Sequence, residues 1–363
     1  MKNIYTSALA ALCITLALSG CEKDVPLSSS ENHGLNTPAY ELPTGALKPH
    51  YVYTLAGNPD NFNHNDGIRD QAGFMNLQHL LVKDGFVYAL DSYIIRKIRI
   101  SDGTVTTLAG DPLGGESRDG LKDLATFELP TSMAFGPDGN IYVAEYFKVR
   151  KVTLDGMVTT VAGTTSGYQD GPAKTAKFTR LSSIGVCNDG TIFVFDNGIN
   201  QIRRISPSGK VSTLTSGGPS GTAASNWSFS SISINEKSEV YVGGAGIYRL
   251  SDKGKLTAIK KTTTVIGNGL LALNDGSLFV STNNQIQKLS ASGNLAPFAG
   301  LPETDSFNRP AEGPADSVDL LTPNGFAIEN NILYFAAHPN FMGDPGFPSQ
   351  QGHVIQMISL AKE

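Results

Sequence analysis

Three carboxylates occupy one repeated place in this chain: Asp91, Glu145 and Asp196 each end a short apolar segment, VYALD, IYVAE and IFVFD. Acids converging on one centre would hold a cation or a polar ligand. Acids that accept backbone N–H groups of their own loops would instead be structural. Histidine offers a second chemistry. Of six histidines, His33 and His50 precede the first apolar segments, leaving His64, His79, His338 and His353 as candidates. His79 and His338 are the pair that would share a divalent metal, although the chain has no His-x-His or His-x-x-x-His spacing. It also lacks a Gly-x-Ser-x-Gly elbow and a phosphate-binding loop, so no residue is assigned as catalytic.

Aromatic and amide side chains point to binding. Tyr93, Tyr146 and Phe147 follow the first two acids, Asn197 follows the third, and Asn283 stands at a related later place. Phe341 and Phe347 lie in an insertion, residues 339–352. Such rings beside amides suit the apolar faces and hydroxyl edges of sugars, and they suit peptides too. The alternative is that Phe341 and Phe347 pin the insertion onto the domain. Trp227 falls near the place of Phe127 and Phe178 and reads as core, and Cys187, at the end of an apolar run, reads as a buried thiol.

A repeat must position these residues. Thr54, Thr107, Thr160 and Thr213 open copies reading TLAG, TLAG, TVAG and TLTS, 53 residues apart. A fixed period of that size marks a repeat architecture. Each unit brings Asp-Gly (residues 66–67, 119–120, 170–171), a phenylalanine (Phe74, Phe127, Phe178), an apolar run and a second Asp-Gly (84–85, 138–139, 189–190). Asp-Gly between apolar runs makes a hairpin, because glycine accepts the positive φ of the turn. The returning strand ends at the acid, and a third strand follows: IIRKI, VRKV or QIRRI. A further turn (102–103, 155–156, 208–209) leads to the next TLAG strand, giving four antiparallel strands per unit.

Three later units are worn, and the sixth lacks its outermost strand, while residues 51–57 form a strand without a unit. Pairing 51–57 with 354–358 would close a ring and remove the unpaired edges. The expected fold is all-β, a six-bladed β-propeller of four-stranded antiparallel blades. Alternating strand directions put the inter-blade loops and the second-to-third turns on one face. The long loops at 58–73, 111–126 and 164–177 make that the expected recognition face; the acids on it are read as holding their own loops, with a carboxylate rim around the central channel as the alternative. The basic pairs at 96–97, 150–151 and 203–204 recur once per unit and read as scaffold.

The run VTTLAG, DG, F, P, PDGNIYVAE, VRKV, DG across residues 105–163 resembles the NHL-repeat family of six-bladed propellers, and the resemblance extends over residues 51–360. It implies the fold and leaves function open. Similar propellers include a peptide-amidating lyase with metal-binding histidines and sugar lactonases with a carboxylate-bound cation, which implies a metal-dependent enzyme as one alternative.

The amino terminus reads as a targeting signal. Lys2, the apolar residues 8–18 and Leu-Ser-Gly-Cys at 18–21 resemble a bacterial lipoprotein signal, with 1–20 as signal peptide and Cys21 as lipidated anchor. Residues 21–50, opening with Glu-Lys-Asp after the cysteine, have the composition of a flexible tether, and 51–363 form the propeller domain. The acidic cluster is similar to surface-export signals of Bacteroidota lipoproteins. A formal charge of -5 without a clustered basic surface argues against nucleic acid. The expectation is a non-catalytic outer-membrane lipoprotein of the cell envelope, periplasmic or outward-facing, that binds a glycan or a protein through its long-loop face without a cofactor. A metal-dependent enzyme and a protein assembly scaffold are the alternatives.

Overall fold

The computed structural model describes residues 46–214, 231–261, 269–282, 284–302, 312–320, 322–337 and 352–360. They form six antiparallel sheets, the blades of a six-bladed β-propeller. Blade 1 runs outward from Leu77–Lys83 through Phe86–Asp91 and Ile94–Arg99 to Thr104–Ala109. The hairpin glycines Gly85, Gly139 and Gly190 have φ of 79°, 75° and 84°, as the Asp-Gly pattern requires.

The ring closes as the strand count predicts. Tyr51–Ala56 lies beside Val354–Ser359, with Val52 opposite Ile358 and Thr54 opposite Gln356. Among the described residues, four of the six blades exceed the expected four strands. In each, a two-residue strand, such as Gly67–Ile68 against Thr104 and Val105, lines the outer edge. Part of each long inter-blade loop is therefore built into the sheet and blunts an exposed edge.

Each second strand is buried at every position or at all but one, which is why they read as unbroken apolar runs instead of alternating ones. Each blade is covered on both faces by its neighbours. Tyr88, Leu90 and Ile95 of blade 1 pack with Phe127, Met133, Ile141 and Val143 of the next, and equivalent clusters fill the other gaps. Each fully buried Leu, Ile or Phe contributes roughly 1.5–3 kcal/mol.

The glycine ending each TLAG copy has a geometric cause. Gly57, Gly110 and Gly163 have φ of 105°, 101° and 93°, and Gly300 has 85°. A Cβ there would lie 2.6, 2.5, 2.3 and 2.3 Å from the carbonyl oxygens of His353, Tyr93, Phe147 and Asn284. The outermost strand thus ends against a second-to-third turn, where only glycine fits. Among the described residues no helix is long and apolar enough to cross a membrane.

Candidate functional site

The repeated acids are interior posts of the scaffold and form no open rim. Asp91, Glu145 and Asp196 are fully buried, as are Arg96, Arg150 and Arg203 on the adjacent strands. The ion pairs measure 3.1 Å for Arg96–Asp91, 2.6 Å for Arg150–Glu145 and 3.2 Å for Arg203–Asp196. Each acid also accepts backbone amides of the segment leading into the innermost strand. Asp91 takes those of Met75 and Asn76 at 3.0 and 2.8 Å, Glu145 that of Glu128 at 2.8 Å, and Asp196 those of Thr179 and Arg180. Of the two readings of these acids, the loop-holding one describes the geometry, and the carboxylate-rim alternative does not.

Each arginine reaches a second acid, that of the first Asp-Gly: Asp66 at 2.9 Å, Asp119 at 2.8 Å and Asp170 at 2.6 Å. These accept the amides of Thr107, Thr160 and Thr213, the threonines of the TLAG copies. Asp119 is partly desolvated, but the Thr160 amide and hydroxyl with Arg150 outweigh that and hold its carboxyl below the usual range. Burial pushes Glu145 up, against the pull of Arg150. The guanidinium carbons also lie 5.1, 5.5 and 5.0 Å from the ring centres of Phe74, Phe127 and Phe178. That single cluster accounts for the Asp-Gly, Phe, acid, Arg and Thr of the repeat.

Where the arginine is missing, so is the acid. The arginine place, opposite the fourth strand just after its register shift, holds Tyr248 in blade 4, Gln287 in blade 5 and Gln356 in blade 6. Their second strands end at Gly244, Thr282 and Ala337. The acid exists to neutralise a buried cation.

The histidines divide by role. His64 Nδ1 lies 3.2 Å from Asp91 Oδ2, and since a carboxylate only accepts, that nitrogen carries the proton. Burial lowers its pKa despite the nearby acid. His353 Nδ1 accepts the Leu77 amide at 2.9 Å across the blade 6 to blade 1 seam. His79, on the innermost strand of blade 1, has Nδ1 shielded from water without a partner, and burial lowers its pKa to about 4. Among the described residues no three His, Cys, Asp or Glu side chains gather as metal ligands. His338, the other metal candidate, lies outside the described residues, as do Asn283, Phe341, Phe347, Trp227 and Cys21.

Tyr93, Tyr146 and Phe147, read from sequence as ligand-binding, are partly buried. Tyr93 is covered by the next inter-blade segment, where Gly114 sits against its ring. Phe147 packs on the cluster between blades 2 and 3, its ring centre 5.4 Å from that of Tyr146. The carbonyl of Tyr146 accepts the Leu181 amide at 2.7 Å, tying this turn to the neighbouring innermost strand. Asn197 is partly buried, and its backbone N–H donates to the Arg180 carbonyl. Cys187 is a buried free thiol, as its apolar setting implies.

The side chains that stand out from the inter-blade segments are others. Leu113 is 89% exposed, Tyr168 56% and Leu129 50%. Leu129 has φ of 47°, a conformation that costs a branched residue energy and often marks a functional place. The Tyr168 ring lies over the Arg203 guanidinium at 4.9 Å, with its hydroxyl 3.1 Å from Thr213 Oγ1. The legible signal for Tyr168 was its place two residues before Asp170, where blades 1 and 2 carry His64 and Ser117.

No family model matches the chain. Human teneurin-4 is 32% identical over 147 residues, covering 34% of this chain and only 5% of that protein. An auxiliary nutrient binding protein from Bacteroides thetaiotaomicron VPI-5482 superposes with a TM-score of 0.59 at 14% identity, over 85% of this chain and 76% of the other. A gluconolactonase from Xanthomonas campestris gives 0.56 at 12% identity, over 85% and 89%. At such identities the likeness is one of fold, and the fold shared is the β-propeller.

Proposed function

We propose that this chain is a lipid-anchored envelope protein, built of NHL-type repeats, that binds a glycan or a protein through its long-loop face and performs no chemistry there. One observation carries the reading: the repeated acids are consumed by buried arginines, and Leu113, Leu129 and Tyr168 stand exposed on the inter-blade segments. Single-sign fields and convergent acids are not what this face offers. Exposed apolar and aromatic groups on a rigid support suit sugar faces or a protein surface. The nutrient-binding propeller of similar fold agrees with ligand capture.

The test is retention on polysaccharide affinity gels and on immobilised envelope extract, comparing the native chain with Tyr168→Ala and Leu113→Asp. Weakened retention in both variants is expected; unchanged retention would remove the loop face as the binding surface. Cys21 is the lipid attachment site in this reading, and Cys21→Ala should move the protein from the membrane fraction to the soluble one.

A protein partner is favoured by a separate feature. Leu121, Leu124, Leu154 and Met157 are exposed together on the outer edge of blade 2, where Leu121 pairs with Met157. The metal-dependent enzyme reading rests on the unpartnered Nδ1 of His79. It requires stoichiometric metal in the purified protein, lost in His79→Ala.

A further inference from the structure

We propose that the hairpin-side rim of blades 1 and 2 rests on a lipid surface through Ile68, Leu121, Leu124, Leu154 and Met157, which turns the long-loop face away from the membrane. This rests on the lipid-anchor reading above and adds which face the anchor holds to the bilayer.

Strand order gives the propeller two unlike faces. The third-to-fourth turns share a face with the Asp-Gly hairpins, and each fourth strand runs from there toward the long-loop face. Outside the start of the fourth strand lies the two-residue edge strand, and the amide that follows it donates to the turn. Arg69 donates to the Gly103 carbonyl at 2.9 Å, Lys122 to that of Gly156 at 2.8 Å and Ala173 to that of Gly209 at 2.7 Å. Ala315 donates to the His50 carbonyl in the same way, at 2.8 Å. His50, with φ of 50°, therefore stands where those blades have the turn glycine.

The chain thus enters the propeller on the hairpin face of blade 6. Its first described residues stay there. The Tyr53 hydroxyl accepts the Lys48 amide at 3.1 Å, and the His50 amide donates to the Ser359 carbonyl at 2.9 Å, beside Leu360, whose amide donates to Asn331 of the blade 6 hairpin. Residues 22–45 separate this entry from Cys21. A flexible chain of that length spans about 25–30 Å, short of the roughly 50 Å breadth of a compact domain of this size. A lipid on Cys21 accordingly keeps the hairpin face nearest the bilayer.

Exposed apolar side chains divide by face as well. Among the described residues eight large ones are exposed: Leu113, Leu129 and Tyr168 on the long-loop side, and the five of this rim. Ile68 and Leu121 hold the same edge-strand place, paired with Thr104 and Met157 at the start of the fourth strand. Leu154 precedes Met157 in the turn, and Leu124 ends the short helical turn Lys122–Leu124. At the places of Leu124, Leu154 and Met157 blade 1 has Gln71, Ser101 and Thr104, and blade 3 has Thr175, Pro207 and Lys210. The repeat does not demand apolar residues here, so blade 2 concentrates them for another reason.

A protein or a lipid surface would cover such a rim equally well. Entry of the anchored chain on the same face favours lipid. Charges around the rim are mixed, with Arg69 and Lys122 among Asp70, Asp123 and Asp155, and Arg99 paired with Asp102 at 3.4 Å. Contact is therefore by apolar insertion and not by attraction to anionic headgroups.

The experiment places an environment-sensitive fluorophore on Leu124→Cys, Thr175→Cys or Leu113→Cys, each in a Cys187→Ser background. The lipidated chain is reconstituted in phosphatidylcholine vesicles containing a nitroxide-bearing lipid, and flotation is read on the same samples. The label at Leu124→Cys should shift to shorter wavelength and be quenched several-fold more than the other two, and adding Met157→Asp should reduce that quenching. Stronger quenching at Leu113→Cys, or none at any position in protein that floats, would overturn the orientation and leave the anchor standing. Protein that does not float would overturn the anchor and the orientation with it. A label at Leu124→Cys already shielded from water in the unlipidated Cys21→Ala chain would assign the rim to a second copy and overturn the lipid contact. Affinity gels decide the loop-face reading separately.

Discussion

The Thr54 amide donates to the Glu312 carboxylate at 2.6 Å, joining residues 258 positions apart in sequence. It is the counterpart of Asp66 with Thr107, Asp119 with Thr160 and Asp170 with Thr213. Here the acid comes from the segment leading into the last blade and the threonine from the first strand of the propeller, so ring closure reuses the contact that builds an ordinary blade. Glu312→Ala leaves a buried amide unpaired and should cost about 1–3 kcal/mol. Chemical denaturation of the variant against the native chain measures it.

Arg150 ties Glu145, Asp119 and the Thr126 carbonyl together from a fully buried position. Arg150→Met strands Glu145 without its cation and should cost about 3–5 kcal/mol. Adding Glu145→Gln should restore part of the loss, because the uncompensated charge is gone. A double-mutant cycle reads the coupling, and strictly additive losses would contradict the post geometry.

His79 gives the fold an acid-sensitive position. Its native pKa, about 4, lies below the ordinary value of 6.5, so between these values the unfolded chain binds the proton and the native one does not. Stability is therefore complete above pH 6.5 and declines as pH falls toward 4, by about 1–3 kcal/mol once residual ring exposure is discounted. Melting curves of His79→Leu should be flatter over that interval than those of the native chain.

Gly163 has φ of 93° and faces the Phe147 carbonyl, where a Cβ would come within 2.3 Å. Gly163→Ala should cost about 3 kcal/mol through strain and displacement of the Tyr146–Phe147 turn. Gly85→Ala, whose Cβ would meet nothing within 4 Å, carries the conformational cost alone and should lose less. Thermal unfolding of the two variants makes the comparison.

Blade number, strand order and closure were legible because hairpin glycines and apolar runs recur at fixed spacing, a local signal. The Arg96, Arg150 and Arg203 series was legible as scaffold, yet its partners were not, since a carboxylate on a loop face looks alike whether it serves solvent or a buried cation. The missing clue was present: Gly244, Thr282 and Ala337 replace the acid in the three blades without the arginine. Exposure of Leu113 and Leu129, and burial of Phe147, depend on how one inter-blade segment lies over its neighbour's turn. No periodicity encodes that.

The most direct test of the central claim is retention of the native chain on polysaccharide gels and on envelope extract, beside Tyr168→Ala and Leu113→Asp. The account predicts retention by at least one support, weakened in both variants while both remain cooperatively folded. Retention by neither support, or equal retention of all three proteins, would contradict it.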